Sequence, residues 1–196
     1  MQIALRRVVR PALQAGCVLS LGDLIAQAVE ISTEGASDAS ASSRLLVPDS
    51  YDVHRTGRFA LVGLTCHGPW FYFAFGLLDR LMGPGSTLAT VLGKVVVTQI
   101  AIFPPYLAAL FAYLGVLEGS VHSLDDAVRV ISTKWPGAYA AGCVFWPIAN
   151  IVNFSVVPSP GRVLYVASTG VLWNTYLSWY NQRARRKERE GERGNG

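Results

Sequence analysis

Two sets of polar side chains stand in stretches otherwise apolar enough for a lipid bilayer, and each set falls on one helix face. Gly16, Ser20, Asp23, Gln27 and Glu30 recur every four, three, four and three residues, the interval that lines side chains up along a helix. Trp146, Asn150, Asn153 and Val157 repeat that interval in the stretch WPIANIVNFSVVPSPGR. Lys94 and Gln99 add a cation and a carboxamide to a third apolar stretch. Such groups either exchange hydrogen bonds between helices or line a hydrated path, because lipid satisfies neither a carboxamide nor a charge. Bond-making chemistry needs more. The sequence has no GxSxG elbow, P-loop, GxGxxG turn or HExxH, and its Ser, His and Asp residues form no recognisable pattern of nucleophile and base. No enzyme is predicted, and no catalytic residue.

Cys17, Cys66 and Cys143 lie in apolar stretches without CxxC spacing, and His54, His67 and His122 are scattered. Neither pattern builds a metal site or a disulfide framework, and no cofactor is expected. A lone His67 in a span reads as a hydrogen-bonded packing residue. Net charge is +4, but the basic residues sit mainly at the two ends and the middle has no basic stripe, so nucleic acid is not a predicted partner.

The elements that must position these residues are membrane helices. Of 196 residues, 51% are hydrophobic and 15% charged, and mean hydropathy is +0.32; soluble domains usually carry about a quarter charged residues. An all-α, polytopic membrane bundle of four to five transmembrane helices is expected. It divides into a basic N-terminal segment 1–12, the bundle 13–182 and a basic solvated tail 183–196. Arg6, Arg7 and Arg10, with no acid before Asp23, suit either a mitochondrial address or a positive flank orienting the first span.

The first span is expected at about 13–31, with Asp23 turned to the bundle interior and Val18, Leu21, Ile25 and Val29 to lipid. A solvated loop follows over 32–50. The second span, 59–82, should bend at Gly68-Pro69 and end on a local Asp79–Arg80 pair. The third, 90–117, is broken by Pro104 and Pro105, and its small residues Ala101, Ala108, Ala109 and Ala112 allow close helix contact and a homo-oligomer. A short amphipathic helix, 123–134 with Ser123 as N-cap, should precede a fourth span at 137–157 kinked by Pro147. A last apolar segment, 163–180, is either a fifth span or a tilted helix, with Trp173, Tyr176, Trp179 and Tyr180 in an interface belt. Four spans put both basic ends on one side; five split them.

Trp146-Pro147, the amide at 150, Asn153-Phe154, Val157-Pro158, Arg162 and then Trp173 with Tyr176, Leu177 and Ser178 resemble the signature of the Mpv-seventeen / 22-kDa peroxisomal membrane protein family. Gly22-Asp23 with Gln27, Gly68-Pro69 and Asp79-Arg80 are similar to that family's earlier motifs. The chain departs from the pattern at Asn150, where a Gln is usual, at Thr98, where an Asp usually precedes Gln99, and at Tyr72 and Ala74-Phe75. The charge often found at position 98 is therefore missing.

The resemblance implies a protein of the mitochondrial inner or the peroxisomal membrane that passes small solutes or metabolites. Ser20, Asp23, Gln27, Glu30, Lys94, Gln99, Trp146, Asn150 and Asn153 are then the pore-lining or interhelical polar residues, and Pro69, Pro104, Pro105 and Pro147 the kinks. Asp23 and Asn150 are expected to face one common hydrated interior. The alternative is a non-conducting membrane adaptor or assembly protein in which the same faces only hold helices together.

Overall fold

The computed structural model describes residues 2–35, 51–84, 87–173 and 175, with side chains in the first helix from Arg7 to Ser32. Residues 32–35 of the expected loop belong to this first helix, and residues 36–50 and those from 176 on, with Tyr176, Trp179 and Tyr180, lie outside the described residues. α1 spans Gln2–Gly35. It takes in the basic N-terminal residues, so these and the first span are one element rather than two. Pro11 lies inside it without ending it.

The second and third rods share one layout. In the second, α2 (Val53–Val62) runs through a π-helical turn, Gly63–His67, into α3 (Gly68–Met82). In the third, α4 (Leu88–Val97) runs through a π-helical turn, Thr98–Ile102, into α5 (Phe103–Leu117). The arms are 10 and 15 residues long and the turn 5 in both rods, and Pro69 and Pro104 each stand second in the longer arm. The cause is the proline. Its ring crowds the carbonyl four residues back, and widening the preceding turn moves that carbonyl aside. The Gly68 N–H accordingly reaches Gly63 O, and the Phe103 N–H reaches Thr98 O. Predicted kinks at Pro69, Pro104 and Pro105 thus take the form of π-turns just before the prolines.

α6, Leu124–Ser155, is a single helix of 32 residues that passes through both Pro136 and Pro147. The expected break between a short amphipathic helix and a fourth span is absent. Two contacts hold the helix through Pro136: Trp135 Nε1–H donates to Pro104 O at 3.0 Å, and the Tyr139 hydroxyl donates to Gln99 O at 3.2 Å. Ser123 caps its start as expected, accepting from the Asp126 N–H at 3.1 Å. After a 3₁₀ turn, Ser159–Gly161, the chain is helical again over residues 162–173, here α7.

α1 lies antiparallel to α2–α3, and α6 antiparallel to α4–α5. Between α1 and the second rod the backbones nearly touch: a Cβ on Gly63 would stand 2.6 Å from Ala15 O and from Gly16 N, and one on Gly68 2.5 Å from Ala12 Cα. The core is aromatic, with Phe71 against Tyr106 at 4.7 Å and Phe75 edge-on to Phe154 at 5.4 Å between ring centres. Outside, Leu21, Leu77, Leu81, Ile100, Val144, Ile148 and Leu172 are exposed. A surface that apolar suits lipid and not water. Arg7–Ser32, Val53–Met82 and Leu88–Leu117 are each long and apolar enough to cross a membrane.

Candidate functional site

The buried charges of the spans, among the described residues, are gathered into two clusters. In the first, Asp23 and Gln27 of α1 are both buried. Gln27 Nε2 donates to Asp23 Oδ2 at 2.7 Å and to Asp52 O at 3.1 Å, and Gln27 Oε1 accepts from the Asp52 N–H at 2.8 Å. Thr56 donates to Asp23 Oδ2 at 2.6 Å. Arg55 Nε sits 2.7 Å from Asp23 Oδ1, a close ion pair not aligned as a hydrogen bond, while its Nη1 donates to Glu30 at 2.7 Å. Asp52, at the mouth of α2, accepts the Arg55 backbone N–H, which holds its carboxyl below the usual carboxylate range. This is a seam between α1 and α2.

The second cluster joins four helices at the other end. Lys94, with no exposed surface, donates to Asp79 Oδ1 at 2.6 Å, and Arg162 Nη1 donates to the same oxygen at 2.7 Å. Ser159 donates to Asp79 Oδ2 at 2.6 Å. The Phe154 ring lies beneath both cations, 5.8 Å from Lys94 Nζ and 5.3 Å from Arg162 Cζ. The expected local Asp79–Arg80 pair is corrected: Arg80, about 100° further round the helix, is exposed, while Asp79 faces the hairpin partner and pairs with Lys94. Opposite charges in two apolar spans joined by a short turn were the signal available in the sequence.

Between these clusters lies a cavity of about 210 Å³, lined by His67, Thr98, Tyr106, Trp146, Asn150 and Trp173 among apolar side chains. Among the described residues none that lines it is Asp, Glu, Lys or Arg. The His67 Nδ1 and the Tyr106 hydroxyl are 2.6 Å apart, so the packing role read from the sequence holds for one ring nitrogen. His67 Nε2 and Asn150 Oδ1 are buried without a hydrogen-bond partner among the described residues. Trp173 stacks on Phe145 at 4.6 Å between ring centres and lines the cavity.

Of the polar residues singled out in the sequence, Trp146 and Asn150 reach the cavity; Asp23, Gln27, Glu30 and Lys94 are drawn into the clusters. Ser20 spends its hydroxyl on Gly16 O of its own helix at 2.8 Å, and half-buried Gln99 donates to Cys143 Sγ at 3.3 Å. Asn153 is fully buried, with neither carboxamide atom partnered. Asp23 and Asn150 therefore do not share one interior. His67, Tyr106 and Thr98 join the site only through the packing of the second and third rods, and no local spacing points to them.

A consequence can be measured. Asp23→Asn should lower stability by on the order of 1–2 kcal/mol, since a charged hydrogen-bond network loses its ion pair while Arg55 keeps Glu30 and partial solvent. Where vesicles holding the protein release a solute, the rate per folded molecule should not change. Altered charge preference at unaltered melting temperature would instead place Asp23 on the path.

A bundle with sequestered charges, an apolar outside and three helices able to span lipid defines a multi-pass, all-helical membrane protein. The chain belongs to the Mpv17 / PMP22 family, whose profile matches residues 115–178. Protein sym-1 of Neurospora crassa is 32% identical over 92% of this chain and 95% of its own length. Mitochondrial inner membrane protein Mpv17 of Rattus norvegicus is 30% identical over 85% and 86%, and the Mpv17-like protein of Bos taurus 30% identical over 74% and 72%. No solved structure matches. Several of the motif residues meet in the structure: Asp79, Lys94, Phe154 and Arg162 form the second cluster, and Trp146 lines the cavity.

Proposed function

We propose that this is an integral protein of the mitochondrial inner membrane that passes small solutes through the centre of its bundle. The name of the rat relative supports the membrane, and the basic N-terminal helix agrees with it. Basic residues are somewhat more numerous toward one end: Arg7, Arg10, Arg80, Lys94 and Arg162 lie toward it, and Arg55, Arg58 and Arg129, paired with Glu30, Asp52 and Asp126, lie toward the other. The positive-inside tendency puts the basic end on the matrix side.

The observation that carries the solute reading is the central cavity, where two π-turns interrupt the rods and Asn150 Oδ1 and His67 Nε2 stand unpartnered. Helices packed only for stability would bury such groups against each other. A non-conducting adaptor is the second reading, favoured by the way the α1 polar stripe is used up in the α1–α2 seam. Reconstitution into vesicles decides between them. Release of small trapped solutes above that of empty vesicles is expected, reduced by Gly170→Leu, which adds bulk at the cavity wall. Vesicles that stay tight with folded protein inserted would leave the adaptor.

A further inference from the structure

On the outside of the bundle, between α3 and the third rod, runs an open groove of about 430 Å³. Its walls are Trp70, Phe73, Leu77 and Leu81 of α3 with Val97 and Ala101 of the third rod, and among the described residues none that lines it is charged. Phe73, Leu77 and Leu81 are each more than half exposed, so the walls stand open to whatever surrounds the span. The second rod has 30 residues, which makes it about 45 Å long, the thickness of a bilayer with its headgroups. Leu81 then stands at headgroup level and Trp70 near the middle. The groove follows α3 between them for about 16 Å, the depth of one leaflet.

A cation marks its outer end. Arg80 comes three residues after Leu77 and seven after Phe73, so it shares one edge of α3 with these two lining residues. The neighbouring cations are engaged, since Lys94 and Arg162 both donate to Asp79. Arg80 is exposed, and among the described residues no ion pair or hydrogen bond engages its guanidinium. An acyl chain fits an apolar furrow one leaflet deep, and a phosphate fits a bare guanidinium at its mouth. The phosphate of a zwitterionic lipid carries its own cation beside it, so a headgroup of net negative charge has the stronger claim on Arg80.

We infer that this groove holds an acyl chain of an anionic phospholipid whose headgroup phosphate pairs with Arg80. The site is separate from the solute-passage reading, because it shares no lining residue with the central cavity.

Brominated acyl chains quench tryptophan on contact, and Trp70 supplies the reporter. In the detergent-solubilised full chain, phosphatidylglycerol with dibrominated acyl chains should quench saturably. Half-saturation should come at an about fivefold lower mole fraction than for phosphatidylcholine with the same chains, the effect of one basic residue at the membrane surface. Trp70→Phe should remove the saturable part, which locates the bromines in the groove. Arg80→Gln should bring the two lipids to within about twofold of each other by removing that charge. Ala101→Phe, which fills the groove from an exposed position, should abolish saturation for both lipids. The comparison of the two lipids on the unmodified protein needs no variant to fold. Equal half-saturation for the two lipids, a preference that survives Arg80→Gln, or saturable quenching that survives Trp70→Phe or Ala101→Phe would each overturn the inference. Absence of saturable quenching in a chain that elutes as a dimer would also overturn it, and would give the groove to a second copy.

Discussion

Asp79→Ala should cost about 3–5 kcal/mol, the range for removing one member of a buried ion pair. Lys94 has no exposed surface and Arg162 is 3% exposed, so both cations would remain in the apolar interior around one missing carboxylate. Ser159 would lose its acceptor as well. The melting temperature of the solubilised protein should fall by about ten degrees or more. Adding Lys94→Met to Asp79→Ala should restore part of the loss, because it takes away the charge that has become uncompensated; the cycle isolates the pair. Asp79→Ala melting close to the unmodified protein, with no gain from Lys94→Met, would show that water already reaches Lys94 Nζ.

Gly63→Ala is the second. The added Cβ would stand 2.6 Å from Ala15 O, Gly16 Cα and Gly16 N. All three are backbone atoms, which cannot rotate away as a side chain would. α1 and the second rod must then separate, and overpacking of this kind costs about 1–3 kcal/mol or somewhat more. The natural comparison is Gly57→Ala or Gly76→Ala, in the same rod with nothing within 4 Å of the new Cβ. Either should be neutral or slightly stabilising, since Ala has the better helix propensity by roughly 1 kcal/mol. If Gly63→Ala melts with those two controls, the close approach of α1 is not needed for stability.

The charge clusters engage the buried ionised side chains of the spans with one another. In many membrane bundles an intramembrane Asp or Lys is the first suspect for an ion pathway. Here Asp23 already has Gln27, Thr56 and Arg55, and Lys94 already has Asp79. Groups so engaged tie helices together. Among the described residues the buried polar atoms without a hydrogen-bond partner include His67 Nε2, Trp70 Nε1, Asn150 Oδ1 and both carboxamide atoms of Asn153.

The sequence by itself determined the class and most of the span positions. Hydropathy and the scarcity of charge dictate membrane helices, and a repeat of three and four shows which face of each helix is polar. That periodicity placed Gln27 with Asp23, and Asn150 with Asn153, correctly on buried faces. It also exposed Leu21 and Ile25 on the opposite side. What periodicity cannot carry is the identity of the facing partner, because a face is a local property and a contact is not.

Asp23 found Arg55 and Thr56 across a loop, Asp79 found Arg162 from the far end of the chain, and His67 found Tyr106 on the next rod. The prolines show the same division. Pro69 and Pro104 announced that the ladder must break, but whether by a kink or a π-turn depended on packing. Pro136 was overruled outright where Trp135 and Tyr139 bind carbonyls of the third rod. Whether a polar stripe becomes a seam or a cavity wall was likewise settled only by which helix came to lie against it: α2 brought hydrogen-bonding groups to Asp23, and the aromatic rods brought none to Asn150 Oδ1.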